Sequence, residues 1–533
     1  MALEAETQAI VEQFEFSDDD VNKAVKEFLR QMDEGLRKDG TSLSQIPTYV
    51  TAVPNGSEKG RYMAVDLGGT NFRVCSIKLN GDHTFSLTYN KVTIPKELMV
   101  AKTAQELFGF LALEIKKFLQ EHHGEVFEHH LKRRLTVSSP DGFKDEPIFR
   151  MGFTFSFPVK QVGINKGTLI RWTKGFDIPD AVGKDVCALL QEEIDKLHLP
   201  VKVAALVNDT VGTLMARSYT SPGKHGSILG AIFGTGTNGA YIEELSHLKK
   251  DLVGEYDNST GQMVINTEWG SFDNQLNVLP STKWDNALEE GSINPGFQMY
   301  EKRVSGMFLG EILRLTMLDL YNNPNVSFLK DENSSFNDLG SVTVIDRDSG
   351  LYKPWGVDTA IMSKAEADQG SELSVFRESL EKELKIYAAA LEDAVAIKRI
   401  AHAIVRRAAR LAAVAVGAIV IQTGKLNDPE LLGEKIDIGV DGSLVEHYPG
   451  FRDMIKEALK ITDGIGEVNA KRIEIGLTQD GSGVGAALIA LVAARMEQKD
   501  TNADYIGELR SAVQEGASAV DEKATLDEKA TTD

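Results

Sequence analysis

Leu206-Val207-Asn208-Asp209-Thr210-Val211-Gly212-Thr213 is the stretch whose reading decides the fold. Upstream of it, Val201 to Leu206 (VKVAAL) is a short apolar run of the kind that forms a buried strand. Downstream, TLMARSY carries a helical pattern. Asp209 therefore stands where a strand hands over to a helix. In an open α/β sheet a carboxylate at the carboxyl end of a strand faces the crevice where ligands bind. Taken alone, Asp209 serves equally well as a plain helix N-cap. The glycine loops on both sides of it along the chain favour the functional reading.

The first loop lies upstream. Arg61 to Val65 is a strand pattern that enters Asp66-Leu67-Gly68-Gly69-Thr70-Asn71-Phe72-Arg73, and Val74 to Leu79 returns as a second strand. Adjacent glycines permit positive φ and expose backbone N–H groups, which wrapping a phosphate requires. The second loop lies downstream. Ile228 to Phe233 enters Gly234-Thr235-Gly236-Thr237-Asn238-Gly239, followed by Ala240 to Glu243. This spells G-x-G-x-x-G, but the dinucleotide fingerprint must open a helix, and AYIEE alternates like a returning strand. Two strand–glycine loop–strand hairpins in one chain predict a duplicated architecture gripping one polyphosphate from two sides. A third glycine loop, Asp480 to Gly485, is read as opening a helix over Ala486 to Arg495, so that its N-terminus can face an anion.

The totals restrict the function classes. A chain of 533 residues with 42% apolar and 26% charged residues suits a soluble globular protein of two or more domains. A net charge of −21 argues against nucleic acid or an anionic membrane surface as partner. Phosphate must then be held by local backbone donors and a few bases. Two cysteines, Cys75 and Cys187, make neither a disulfide framework nor a metal cluster, and fit a reducing cytosol. The N-terminus MALEAETQ lacks the apolar core of a signal peptide. The longest apolar run, Leu411 to Ile421, is about half the roughly 20 residues of a membrane span.

Elsewhere, residues 1–45 are predicted helical, with Ser17 and Asp20 as a capping signal. Residues 297–318 and 376–421 are predicted as long helical stretches, and 325–375 as irregular surface. His122-His123 and His129-His130 lack any framing carboxylate or cysteine pattern for a metal. The polar tail beyond about 497, ending DEKATLDEKAT at 521–531, is read as disordered.

Ser156, Thr173, Lys174, Asn208, Asn238, Glu268 and Glu301 lie between or beside the loops. Such a set of donors and acceptors suits a polyol. There is no Walker A sequence and no H-R-D loop. Phosphoryl transfer stays open, since its catalysis is mostly positioning, charge neutralisation and a carboxylate to take the nucleophile's proton.

The motifs VDLGGTNFRV, FTFSFPV, RWTKGF, LVNDTVGT, FGTGTNGAYIEE, NTEWGSFDN, NPGFQMYEKRVSGMFLGE, GVDGSLVEHYPGF and QDGSGVGAAL, in this order, resemble the hexokinase family from about residue 20 to 497. IPTYVTAVPNGSEKG with GTNFR is most similar to its fungal glucokinase branch. The resemblance implies an α/β, actin-like ATPase fold (a ribonuclease H-like unit, duplicated), with two lobes around a deep cleft. It implies transfer from ATP, with Mg²⁺, to the 6-hydroxyl of a hexose, glucose first, then mannose and fructose. Asp209 would be the general base, with Lys174 as a second catalytic group or a sugar donor; we favour the sugar role. Ser156, Thr173, Lys174, Asn208, Asn238, Glu268 and Glu301 would hold the sugar.

Asp66, Gly68, Gly69, Thr70, Asn71 and Arg73 would form the first phosphate loop, and Gly234, Thr235, Gly236 and Thr237 the second. Gly442 and Ser443 would lie near the adenosine. So would Ser349, where many relatives have Asp-Thr-Gly. No residue would bind the metal directly, Asp66 reaching it through water. Residues 1–60 would form a helix and connector on the large lobe, 61–208 the small lobe, 209–480 the large lobe, and 481–497 a helix returning to the small lobe, before the tail 498–533. The protein would be a cytoplasmic monomer or homodimer with a hexose partner, and neither nucleic acid nor membrane.

Three rival readings are weaker. A catalytically dead sugar sensor of the same fold often loses the base or a phosphate loop, and Asp209 and both loops are present. A protein-partnered actin-like ATPase does not need the sugar set. A nicotinamide dehydrogenase rests only on GTGTNG.

Overall fold

The computed structural model describes residues 2–68, 71–136, 148–172, 175–221, 226–330, 342–478 and 480–497. Its strands, in chain order, are β1 Ile46–Pro47, β2 Lys59–Leu67, β3 Asn71–Asn80, β4 Phe85–Thr93, β5 Phe149–Phe155, β6 Val159–Gly163, β7 Lys166–Leu169, β8 Val201–Val207, β9 Ser227–Phe233, β10 Thr237–Glu244, β11 Gln262–Asn266, β12 Val344–Ile345, β13 Ile386–Tyr387, β14 Ile436–Asp441 and β15 Ile473–Leu477.

Two sheets dominate, and they repeat one topology. The first has the order β4-β3-β2-β5-β8 and the second β1-β11-β10-β9-β14-β15. In each, three strands form an antiparallel meander from a glycine hairpin: β2 to β4, and β9 to β11. Two parallel strands then extend the other side: β5 and β8 beside β2, β14 and β15 beside β9. The order meander, parallel, parallel recurs, with only β1 added at an edge. This is the duplicated ribonuclease H-like unit of the actin-like fold. Both glycine loops join antiparallel strands, Asp66 opposite Arg73 and Phe233 opposite Thr237, so neither opens a helix.

Each sheet has its own apolar core. The first packs against the Ala104–His122 and Val186–Lys196 helices through Leu107, Leu111, Ile115, Leu190 and Ile194. The second is covered by the N-terminal helices and the Leu391–Gln422 helix, whose run Leu411 to Val420 is wholly buried. Ser17 closes a capping box with Asp20 at the start of the Asp18–Arg37 helix.

A third core joins the two. The Asp209–Thr220 helix and a helix over residues 481–497 lie together in it, bringing Val211, Leu214, Val484 and Leu488 against Cys75 and Val207 of one sheet and Ala240 and Val264 of the other. The two helices touch through glycine. A Cβ on Gly485 would stand 2.1 Å from the Gly212 carbonyl oxygen, and one on Gly212 would stand 2.5 Å from that of Gly481.

Two predicted helices are shorter than their periodicity. The 297–318 stretch divides into Glu301–Val304 and Gly306–Asn322, because Ser305 turns extended (φ −87°, ψ 151°) between them. The 376–421 stretch divides at Lys385, in the left-handed region (φ 54°), where the chain pairs as β13 before helix resumes at Leu391. Within 325–375, the Ala360–Ala367 helix is regular structure where an irregular surface was expected. The tail from 498 lies outside the described residues.

Because Gly212 and Gly485 meet backbone to backbone, a methyl group there has no flexible neighbour to displace. Gly485→Ala is expected to lose about 1–3 kcal/mol, the usual cost of overpacking, read as a lowered urea midpoint against wild type.

Candidate active site

The Asp209 corner is built by β8 and the helix it feeds. Asn208 is the N-cap, extended at φ −86°, ψ 149°. Its Oδ1 accepts the Thr210 N–H at 2.9 Å and the Thr210 hydroxyl at 2.5 Å. Asp209 Oδ1 accepts the same N–H at 2.8 Å. The capping role therefore belongs to Asn208, and Asp209 is the first helical residue, half-buried at the strand's end.

Three of the seven residues expected around a sugar, Asn238, Glu268 and Glu301, come together beside the second hairpin. Asn238 Nδ2 donates to Asn266 Oδ1 at 2.8 Å, and Asn266 Nδ2 donates to Glu268 Oε1, also at 2.8 Å. Asn238 Oδ1 accepts from the Gly239 N–H at 2.8 Å and the Thr267 hydroxyl at 3.2 Å. Glu301 Oε2 accepts the Thr237 N–H at 2.9 Å, which ties the carboxylate to the hairpin tip. Trp269 lies beneath: a Cβ on Gly239 would meet its ring at 2.2 Å, and its Nε1 donates to Thr237 Oγ1 at 3.0 Å.

Glu268 is held in the left-handed region (φ 53°). A non-glycine residue there is strained, and such residues collect at functional sites. Desolvation raises the Glu268 carboxyl above its ordinary value, against the two asparagine hydrogen bonds. Glu301 is raised too, by desolvation first and then by the charges of Glu268 and Asp209. Three carboxylates thus converge close enough to feel one another.

The first hairpin carries the cation. Arg73 Nη2 donates to Asp480 Oδ1 at 2.5 Å and to Ser482 Oγ at 2.8 Å, and lies 3.9 Å from Asp66 Oδ2. Ser156 lies beside the same tip, its Oγ 3.5 Å from where a Gly68 Cβ would be. Asn71 Oδ1 accepts from the Thr93 hydroxyl at 3.4 Å across the meander.

The second hairpin backs onto Gly442, whose φ of 112° and contact with Phe233 exclude a side chain; a Cβ there would stand 2.6 Å from the Phe233 carbonyl. The Gly306 N–H donates to the Gly234 carbonyl at 2.7 Å, so the Gly306–Asn322 helix starts at the loop. Thr235 and Ser443, both exposed, open onto a cavity of about 690 Å³ that Thr359, Ser363, Lys364 and His447 also line. Ser349 does not line it. That side chain is buried and its hydroxyl is occupied, donating to the Leu384 carbonyl and accepting the Leu351 N–H at 3.2 Å. The expectation of a Ser349 nucleotide contact is corrected accordingly: it caps a buried turn, while Thr359, which does line the cavity, has its own hydroxyl held, donating to the Gly306 carbonyl at 2.5 Å and accepting the Gly310 N–H at 2.8 Å.

Gly69, Thr70, Thr173 and Lys174 lie outside the described residues. The described residues contain no group of three His, Cys, Asp or Glu able to hold a metal ion. The paired histidines are engaged elsewhere, His122 with Asn90 at 3.0 Å and His130 with the His198 carbonyl at 2.9 Å. Both cysteines are free and buried. No described helix is long and apolar enough to cross a membrane. Sequence reasoning passed over Asn266, Asp480, Ser482 and Thr359. The first three sit inside motifs already singled out, where an amide, a carboxylate and a hydroxyl close to quoted residues were the available signal.

Two repeated sheets, each offering a glycine hairpin at the side of one buried pair of helices, define the class: a two-lobed protein of the actin-like ATPase fold. Comparison with known proteins narrows it. Hexokinase family models match residues 6–219 and 228–492. The chain is 56% identical over 501 residues to the glucokinase of Aspergillus niger, covering 93% of this chain and 99% of that one. It is 41% identical over 511 residues to glucokinase-1 of Saccharomyces cerevisiae, covering 91% and 96%. Among solved structures, the hexokinase of Schistosoma mansoni complexed with glucose superposes with a TM-score of 0.72 at 33% identity, covering 92% and 99%. The chain belongs to the hexokinase family.

A carboxyl raised by folding favours its protonated form in the folded state. Its ionisation costs stability that is fully present below the unfolded value near 4.5 and is lost as pH rises through the folded value. Glu268→Gln removes that loss while keeping an acceptor for Asn266. The variant is expected to unfold at higher urea than wild type at pH 8, with the gap narrowing by pH 5. Equal gaps at both pH values would contradict the assignment.

Proposed function

We propose that the chain is an ATP-dependent glucose kinase that transfers the γ-phosphoryl group to the 6-hydroxyl, giving glucose 6-phosphate and ADP at the first step of glycolysis in the cytosol. The observation that carries this is Glu301. One oxygen accepts the N–H at the tip of the second glycine hairpin, while its charge couples to Glu268 and Asp209. In this reading polyol-binding carboxylates, a base and a phosphate loop share one corner. The names of the relatives, glucokinase and hexokinase, support the same substrate class.

In this reading Glu268, Glu301, Asn238 and Ser156 bind sugar hydroxyls, with Thr173, Lys174 and Asn208. Asp209 accepts the 6-hydroxyl proton as the oxygen attacks the γ-phosphorus and the bond to ADP breaks. The backbone N–H groups of Gly68 to Asn71 and Gly234 to Thr237 donate to phosphate oxygens, Arg73 adds charge, and Ser443 lies beside the adenosine. In this reading Mg²⁺ arrives on the nucleotide's phosphates and keeps most of its waters, with Asp66 reaching it through one of them. Such an ion would offset charge on the phosphates. Closing residues 61–208 on 209–480, with 481–497 moving as part of the smaller lobe, would exclude water as a competing acceptor.

Mannose is a second acceptor in this reading. Fructose differs at the positions where pocket shape, not motif identity, decides. The test is an ADP-release assay on glucose, mannose and fructose, with Asp209→Asn beside wild type. We expect kcat to fall by about 10²–10⁴-fold, the usual contribution of a general base, while glucose binding by calorimetry stays within a few-fold. Sugar binding without turnover in the wild type would instead identify a sensor.

A further inference from the structure

A second cavity, about 500 Å³, lies on the other side of the wall that closes the cavity at Thr235 and Ser443. Three elements meet around it: the Ala2–Gln13 helix with the turn after it, the end of the Ala360–Ala367 helix, and one face of the Leu391–Gln422 helix. Its floor is apolar, made by Val11, Phe14, Leu373 and Ala403. Its rim mixes charges, with more cations than anions: Glu15 and Glu366 stand in it, and Lys398 is held by the Asp368 carbonyl. Lys398, Arg399, His402 and Arg406 follow one another at spacings that place them along one side of the long helix.

The rim is held by weak partners. Arg399 donates to Glu4 and Gln8, each at 2.6 Å, Arg406 to Glu15 at 2.5 Å, and His402 Nδ1 lies 3.0 Å from Glu366 Oε2. The carboxylates of Glu4 and Glu15 are more than half exposed. Ion pairs of this kind contribute only about 0–1 kcal/mol each, so an arriving anion can take their place at small cost. An inorganic anion would leave the apolar floor in water, and an apolar molecule would leave the cations with their present partners. A ligand with both features satisfies floor and rim together.

Glu366 connects this cavity to its neighbour. It stands on the Ala360–Ala367 helix, whose Ala360, Ser363 and Lys364 face the other cavity. The same Glu366 oxygen accepts from the Tyr448 hydroxyl at 3.2 Å. Tyr448 directly follows the Ser443–His447 helix, which also lines that cavity. An anion that draws His402 away changes what Glu366 holds, and with it the seating of both walls.

We propose that the cavity between the N-terminal helix and the Leu391–Gln422 helix binds an amphipathic anion, an apolar chain ending in phosphate or carboxylate, and that its occupancy alters nucleotide affinity through the Ala360–Ala367 helix. The second half rests on the neighbouring cavity being the nucleotide site; the first does not. Calorimetry on the full chain with octyl phosphate and octanoate, both below their micellar concentrations, tests it, with inorganic phosphate, acetate and 1-octanol in parallel. One equivalent of a chain-bearing anion is expected to bind at least tenfold more tightly than phosphate, acetate or octanol, and the tighter of the two identifies the head group.

Trp284 stacks behind Phe14, ring centroids 5.3 Å apart, so binding should also change a tryptophan emission that Trp284→Phe removes. Ala403→Trp, which fills the floor, should weaken binding at least tenfold. Arg406→Gln, a part-exposed rim change that leaves the packing alone, should weaken it at least threefold with melting and sugar turnover unchanged. Saturating octyl phosphate should move the ATP KM at least twofold and leave the glucose KM in place. No binding, or equal binding by wild type and Arg406→Gln, would overturn the site. Binding with an unmoved ATP KM would overturn the coupling. Binding is read without turnover, so failure of the kinase reading would leave that arm intact.

Discussion

The close approach of two helices through Gly212, Gly481 and Gly485 is the constraint on which the rest of the structure depends. With a Cβ excluded at 2.1 Å, the Asp209–Thr220 helix and the 481–497 helix run backbone to backbone between the two sheets. That contact fixes the start of each helix relative to the other. One start carries Asn208 and Asp209. The other carries Asp480 and Ser482, which grip Arg73 of the first glycine hairpin. The place of Asp209 and the place of the first glycine hairpin are thus set by one steric condition. Larger residues at the crossing would separate the helices and move both together.

The acidic corner around Glu268 and Glu301 shows the opposite economy. Glu268, Glu301 and Asp209 stand near one another with desolvation raising the first two, an arrangement that a protein optimised for stability alone would not keep. Glu268 adds a left-handed backbone. Hydrogen bonds from Asn238, Asn266 and the Thr237 N–H hold the carboxylates in place. The deeper large-lobe core solves the same problem differently. Asp285 meets Arg407 through two bonds of 2.7 Å, and the nearby charges hold its carboxyl down at about 2. A buried pair neutralises itself and serves the fold, whereas in the proposed reading the acidic corner is completed by a sugar's hydroxyl groups.

Most of this was legible in the sequence because the informative residues are local. A strand, a polar tip with glycines and a returning strand can be recognised within twenty residues, and the alternation of AYIEE was enough to reject a dinucleotide helix. What was not legible depends on contacts distant along the chain. The two extended helices divide at Ser305 and Lys385 for tertiary reasons, since apolar periodicity continues across both. Ser349 sits in a plausible tripeptide, but its hydroxyl is claimed by Leu384, a partner 35 positions away. The pairing of Arg73 with Asp480 spans 407 positions, and nothing near either residue announces it.

That pairing also bears on how a chain of net charge −21 could hold the phosphates of the proposed reaction. Long-range attraction cannot be the device, because the protein's overall field repels anions. Arg73 is not a free cation either: Asp480 and Asp66 stand on both sides of it, and the second oxygen of Asp480 is buried without a hydrogen-bond partner. A guanidinium already held by carboxylates offers an anion only the N–H groups left in its fixed fork. Backbone N–H groups of the hairpins carry no net charge at all. In the proposed reading, selectivity for a polyphosphate would then come from the match of donor positions to phosphate oxygens, and a polyanion whose oxygens miss those donors would gain nothing from its charge.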